Sequence, residues 1–171
     1  AFSDGKNPIQ DTGVMLRAML YANHFDGLLV NQPIDQALSA LGQMHEGKVS
    51  QRLGLKGIPE VAETIMIKRD IDLAEYTGSK LLFHLISTED GTKIINKEKK
   101  SNPRLFSSIS YLNIVLNDEA LEGFDSNLKQ SPPLRSNKHL KALQKGLQDG
   151  TIDIICSNHR PLEIEKKDLE Y

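Results

Sequence analysis

Apolar positions along the chain fall into short blocks divided by polar turns, and their period changes from block to block. Val14, Met15, Ala18, Met19 and Ala22 recur at helical spacing behind Asp11 and Thr12, either of which can cap a helix. Leu28 to Val30 is an apolar run that predicts a buried strand, ended by Asn31, Gln32 and Pro33. From Asp35 to Gly57, Leu38, Leu41 and Met44 support only short helical turns, because Gly42, Gly47, Gly54 and Gly57 interrupt them. Pro59 suits a first helical position, Val61, Ala62, Ile65, Met66, Leu73 and Ala74 supply a packing face, and Gly78 is a stop. Leu81 to Ile86 predicts a second strand, followed by Ser87 and Thr88 as caps, and Leu105 to Ile109 a third. Pro132 and Pro133 mark a rigid extended loop. Asn137 then caps a helix carrying Leu140, Leu143 and Leu147, stopped by Gly150. Ile152 to Cys156, apolar but for Asp153, predicts a fourth strand of the type buried on both faces.

Strands alternating with helices argue for an α/β fold with a parallel sheet. About four βα units can be counted, whereas a complete eight-unit barrel needs about 250 residues. The 171 residues therefore fit part of such a barrel or a small open sheet, and spacing admits both. No repeat or low-complexity linker divides the chain, so residues 1–171 are read as a single domain.

Composition narrows the function. A net charge of −2 and a pI near 6.2 leave no electrostatic footprint for nucleic acid. Lys97, Lys99 and Lys100 read as a solvated helix end. No segment reaches the roughly 20 apolar residues of a membrane span. The first ten residues are polar and show no signal peptide, and the single Cys156 excludes an internal disulfide, so a cytoplasmic setting is expected. Of the five histidines, none forms His-x-His or His-Glu-x-x-His. There is no Gly-x-Ser-x-Gly elbow and no phosphate loop. Cys156 reads as a core thiol, and Asp70 and Asp72 as surface charges on a helix.

Four stretches carry a family pattern. They are Ala1-Phe2-Ser3-Asp4-Gly5, Glu46-Gly47-Lys48-Val49-Ser50-Gln51-Arg52-Leu53-Gly54-Leu55 with Gly57-Ile58-Pro59, Asp118-Glu119-Ala120-Leu121 with Asn127, Lys129 and Pro132-Pro133-Leu134-Arg135, and Gly150-Thr151-Ile152-Asp153 leading to Ser157-Asn158-His159-Arg160-Pro161. In order and spacing they resemble the dihydroorotases of multifunctional pyrimidine enzymes, within the cyclic amidohydrolases. The resemblance runs through nearly the whole chain. It implies an α/β fold that is the second half of a TIM-type (β/α)8 amidohydrolase barrel.

The resemblance also implies zinc chemistry on a cyclic amide, interconverting dihydroorotate and carbamoyl aspartate. Zinc takes imidazole and carboxylate ligands and activates a bound water, and a carboxylate must carry the proton. The matching positions lack those groups. Gly5 stands where the family has a ligand aspartate, Gln32 and Leu85 where it has ligand histidines, and Asn158 where it has the catalytic aspartate. His84 lies one residue before Leu85, so strand alternation predicts that it faces away from the site. Leu162 replaces a substrate-holding histidine, and Ser131 an asparagine. Lys129, Arg135 and His159 survive as vestigial substrate-binding positions, with a solvated loop as the plainer reading of the first two.

The resemblance therefore implies a catalytically inactive dihydroorotase-like protein, with no cofactor, supporting assembly of aspartate carbamoyltransferase through exposed helices such as that around Leu140 to Leu147. The alternative is a zinc-dependent dihydroorotase completed by residues or a chain beyond this one. A metal-free binder of an orotate-like anion is a third reading. Half a barrel exposes strand edges, so more chain, a partner or a homo-oligomer is expected to cover them.

Overall fold

A computed structural model describes the chain except for Lys6, Arg160, Leu162, Ile164 and residues 166–171. The substitution of histidine by Leu162 and the charged tail beyond residue 165 thus lie outside the described residues. Elements run in the order β1 (Phe2–Ser3), α1 (Thr12–Asn23), β2 (Leu28–Asn31), α2 (Gln36–Ser39), β3 (Met44–His45), α3 (Lys48–Leu53) and β4 (Gly57–Ile58). There follow α4 (Val61–Thr77), β5 (Lys80–Phe83), α5 (Glu89–Lys99), β6 (Leu105–Ser110), α6 (Leu112–Val115), α7 (Asn137–Gln148) and β7 (Ile154–Cys156), with 3-10 turns at Asp118–Gly123 and Ser126–Leu128 before α7.

Five strands form one sheet in the order β1-β2-β5-β6-β7, every pair parallel. Strands β3 and β4 pair separately, as an excursion between β2 and α4. Register places Leu29, Leu81 and Leu105 in one row and Asn31, Phe83 and Ser107 in another. Both rows face the helices. Met15 and Met19 of α1, Ile67 and Ile71 of α4, Ile95 of α5 and Leu143 of α7 close over them as one core. Each such side chain gains about 1.5–3 kcal/mol on leaving water, which is what drives these helices onto the sheet. Met44, Val49, Leu121 and Leu134 make a second, smaller core under the excursion.

Local sequence explains the element ends. Asp11 caps α1 by accepting the Val14 N–H at 2.7 Å, and Thr88 caps α5 by accepting the Gly91 N–H at 3.0 Å. Gly78 ends α4 with φ +67°, a left-handed conformation that favours glycine.

Two sequence expectations are corrected. The strand over Leu81 to Ile86 stops at Phe83, because Leu85 turns to φ +59° and breaks the extended backbone. β7 is not doubly buried: Ile154 and Ile155 are 45% and 54% exposed, since β7 lies at the sheet's edge and has one neighbour. On α7, Leu143 is fully buried and Leu147 packs on the same core, so the helix turns Lys138, Lys141, Gln144 and Lys145 outward.

Candidate functional site

Parallel strands deliver the residues that follow them to one rim, where a barrel of this kind carries its chemistry. Asp4 and Gly5 follow β1, Gln32 follows β2, His84 and Leu85 follow β5, and Ser157 to His159 follow β7. The loop before α7 bends over this rim. Gln32 Nε2 donates to Ser131 Oγ at 3.4 Å, and Asn158 Nδ2 donates to the Ser131 carbonyl at 3.2 Å. Two positions 126 residues apart in sequence thus meet on one serine. Gly5 is exposed at φ +62° and brings no side chain. Leu85 is buried and apolar.

His84 does not turn away from this rim as strand alternation predicts. The strand has already ended, and His84 Nδ1 lies 3.0 Å from Ser108 Oγ. Ser108 alternates with Ser107 and Ile109, so it points to the sheet face opposite the helices. Lys129 and His159 are exposed. Arg135 is not on a solvated loop: it is 2% exposed, and its guanidinium donates to Ser87 Oγ at 3.1 Å and to the Ile58 carbonyl at 2.8 Å. Burial pulls the Arg135 pKa down, against the attraction of Glu63, Glu60 and Glu46.

Behind the rim lies a buried polar network with no counterpart in the sequence reading. Glu63 of α4 is 2% exposed. Its carboxylate accepts the N–H of Ser87 at 3.0 Å and of Thr88 at 2.9 Å, together with both hydroxyls. These bonds satisfy a buried charge and fix the turn that starts α5. Asp70 is likewise no surface charge. It is fully buried, with Arg69 Nη2 at 2.6 Å and Asn31 Nδ2 at 2.7 Å. Burial pushes its carboxyl pKa up, while Arg69 and Asn31 oppose the shift. Arg69 also holds the Ile9 and Gln10 carbonyls, so the network secures the segment before α1. Only α4's departure from a purely apolar face hinted at either residue.

His45, Glu60 and His139 bring three potential metal-ligating atoms within 4.8 Å of one another. Their hydrogen bonds argue against a cation. The Glu89 N–H donates to His139 Nδ1 at 2.9 Å, so the ring proton sits on Nε2, facing Glu60 Oε1 at 3.0 Å. Arg135 Nη1 can only donate, and it lies 3.2 Å from His45 Nδ1. Each imidazole has spent its single lone pair on a fixed donor, whereas a ligand histidine donates its second N–H outward. Burial holds both rings neutral. It lowers the His45 pKa to about 3, helped by Arg135 and His139, and lowers that of His139 against the pull of Glu60.

The zinc that the family resemblance implies does not fit the four rim positions that the resemblance assigns to it. Its four matching positions present no side chain at Gly5, a hydrocarbon at Leu85, and two neutral amides at Gln32 and Asn158 that are engaged with Ser131. That set supplies no imidazole and no carboxylate.

A family model described as Dihydro-orotase-like matches residues 1–91. Over all 171 residues the chain is 43% identical to the dihydroorotase of Pelotomaculum thermopropionicum and 40% identical to that of Syntrophus aciditrophicus, and it spans about 40% of the length of each. Among solved structures, L-hydantoinase (dihydropyrimidinase) from Arthrobacter aurescens superposes with a TM-score of 0.80 at 19% identity, covering 98% of this chain and 38% of that one. Dihydroorotase from Saccharomyces cerevisiae, in complex with 5-fluoroorotic acid, gives 0.71 at 15% identity, covering 93% of this chain and 42% of that one. The fold is therefore part of an amidohydrolase-type TIM barrel, and by the match over its first 91 residues this chain belongs to the dihydro-orotase-like family.

Proposed function

We propose that this chain is a catalytically silent dihydroorotase-like protein of pyrimidine biosynthesis with a structural role beside aspartate carbamoyltransferase. The observation that supports it is the chemistry at four rim positions: Gly5, Gln32, Leu85 and Asn158 offer zinc no anionic or imidazole donor, and Asn158 cannot take up a proton near neutral pH. Without such donors those four positions cannot activate a zinc-bound water or supply the family's general base. Yet the polar network around Glu63 and Arg135 that holds this rim in shape is complete. The partner follows from the family resemblance alone. Elemental analysis after dialysis tests the first part, with an expected zinc content near zero per chain. Co-purification with aspartate carbamoyltransferase tests the second, and failure to co-purify where an inactive relative succeeds would overturn it.

A second reading is a zinc-dependent dihydroorotase whose ligands come from residues or a chain beyond this one. Identity of 43% to a protein named dihydroorotase, over two fifths of that protein's length, favours it. Stoichiometric zinc together with hydrolysis of dihydroorotate would put this reading first. Calorimetric titration with dihydroorotate separates off the metal-free binder, for which Lys129, Arg135 and His159 were the candidate contacts. The burial of Arg135 removes one of the three from solvent.

A further inference from the structure

Helices α5 and α7 lie side by side on the outer face of the sheet, brought close by Gly146. A Cβ there would come within 2.9 Å of Thr92 Cγ2 and 3.1 Å of Ile152 Cδ1. The shallow channel between the helices encloses about 470 Å³. Lysines line it from both sides. Lys93, Lys97 and Lys100 come from α5 and its C-cap, and Lys138, Lys141 and Lys145 from α7. On each helix they recur at three- and four-residue spacings, so each set forms one row.

Two carboxylates line the channel, Glu89 and Asp149, and two more pair with its lysines from outside it, Asp90 with Lys93 at 3.5 Å and Glu98 with Lys97 at 2.9 Å. Glu89, at one end, holds Lys93 at 2.7 Å and Lys138 at 2.8 Å. Asp149, at the other, accepts the Thr151 N–H at 3.0 Å and hydroxyl at 2.6 Å. Among the described residues, Lys100, Lys141 and Lys145 have no carboxylate within 4 Å. A chain with net charge −2 has thus concentrated cations in one concave place.

We infer that this channel is a binding site for a small polyphosphate anion. Like charges held together in a concavity raise each other's energy, and a multivalent anion relieves several repulsions at once. Lysine ammoniums suit phosphate oxygens as mobile point charges. The volume suits a compact ligand. No aromatic side chain lines the channel, so bases of a single-stranded nucleic acid would find nothing to stack on. Neither the family's rim chemistry nor the proposed silence of that rim enters this argument.

Inorganic tripolyphosphate is the probe, titrated calorimetrically into the purified chain at fixed ionic strength, with sodium chloride as the matched control. Saturable binding of about one equivalent is expected, weakening steeply as salt rises. The Lys141→Glu/Lys145→Glu variant changes two exposed side chains, so it should keep its thermal unfolding profile and lose at least tenfold in affinity. Lys56→Glu/Lys68→Glu, at exposed lysines outside the channel, should leave the affinity unchanged. Heats no larger than those of matched chloride would overturn the proposal. So would equal losses in the two variants, or binding of an acidic peptide where tripolyphosphate does not bind.

Discussion

Glu63 accepts hydrogen bonds from two backbone N–H groups and two hydroxyls, and all four donors belong to Ser87 and Thr88. Truncation to alanine would strand them in a buried place. Glu63→Ala is therefore expected to cost about 3–5 kcal/mol, the usual cost of breaking a buried charged network. Urea unfolding measures it, and a loss below about 1 kcal/mol would mean that water replaces the carboxylate easily. His45 makes a pH prediction. Its folded pKa is about 3, well below the ordinary imidazole value, so between those values the unfolded chain binds more protons than the folded one. Its contribution to stability is full above pH 6.5 and is lost as pH falls toward 3. His45→Gln, which can still accept from Arg135, should flatten the decline in melting temperature over that range. An unchanged slope would assign the decline to other groups.

At the scale of elements, the start of α5 is where several constraints meet. Thr88 caps the helix and also donates to Glu63. Gly91 then has no room for a side chain: a Cβ would lie 2.7 Å from Thr88 Oγ1 and 2.8 Å from both Glu63 Oε1 and Ile67 Cδ1. Alanine has the better helix propensity, but here sterics outweigh it. Gly91→Ala should destabilise by about 1–3 kcal/mol, as overpacking does. Gly123→Ala, with nothing within 4 Å of its Cβ, should change stability by no more than about 0.5 kcal/mol. Thermal melts of the pair check this, and equal melts would contradict the crowding at Gly91. The helix itself was legible in sequence from Ser87 and Thr88 onward. The crowding was not, because it depends on a side chain from α4.

For the whole molecule, the sheet ends at β1 and β7 among the described residues, and both ends carry apolar side chains at the surface. Phe2 is 47% exposed, and Ile154 and Ile155 are 45% and 54% exposed. Unpaired edges of this kind recruit other strands. The purified chain is expected to sediment as more than a monomer, and Ile155→Lys, placing a charge on the β7 edge, should reduce the associated fraction at equal concentration. Monomeric sedimentation at every concentration would show that these edges are protected in some other way.

The sequence by itself determined the alternation of strands and helices, most of their caps and the family pattern, whose resemblance implies the four substituted rim positions. Each of these is written in residues close together in the chain or in motifs of fixed order. Tertiary structure alone decided the rest. It joined Gln32 and Asn158 at Ser131, buried Asp70, Glu63 and Arg135 in satisfied networks, turned His84 toward Ser108 and left β7 half exposed. It also spent the lone pairs of His45 and His139 on Arg135 and on the Glu89 N–H, and set two lysine rows on either side of one channel. Periodicity reports which side of an element is apolar. It cannot report which distant donor meets a buried carboxylate, and a charged residue reads as surface until its partner is seen.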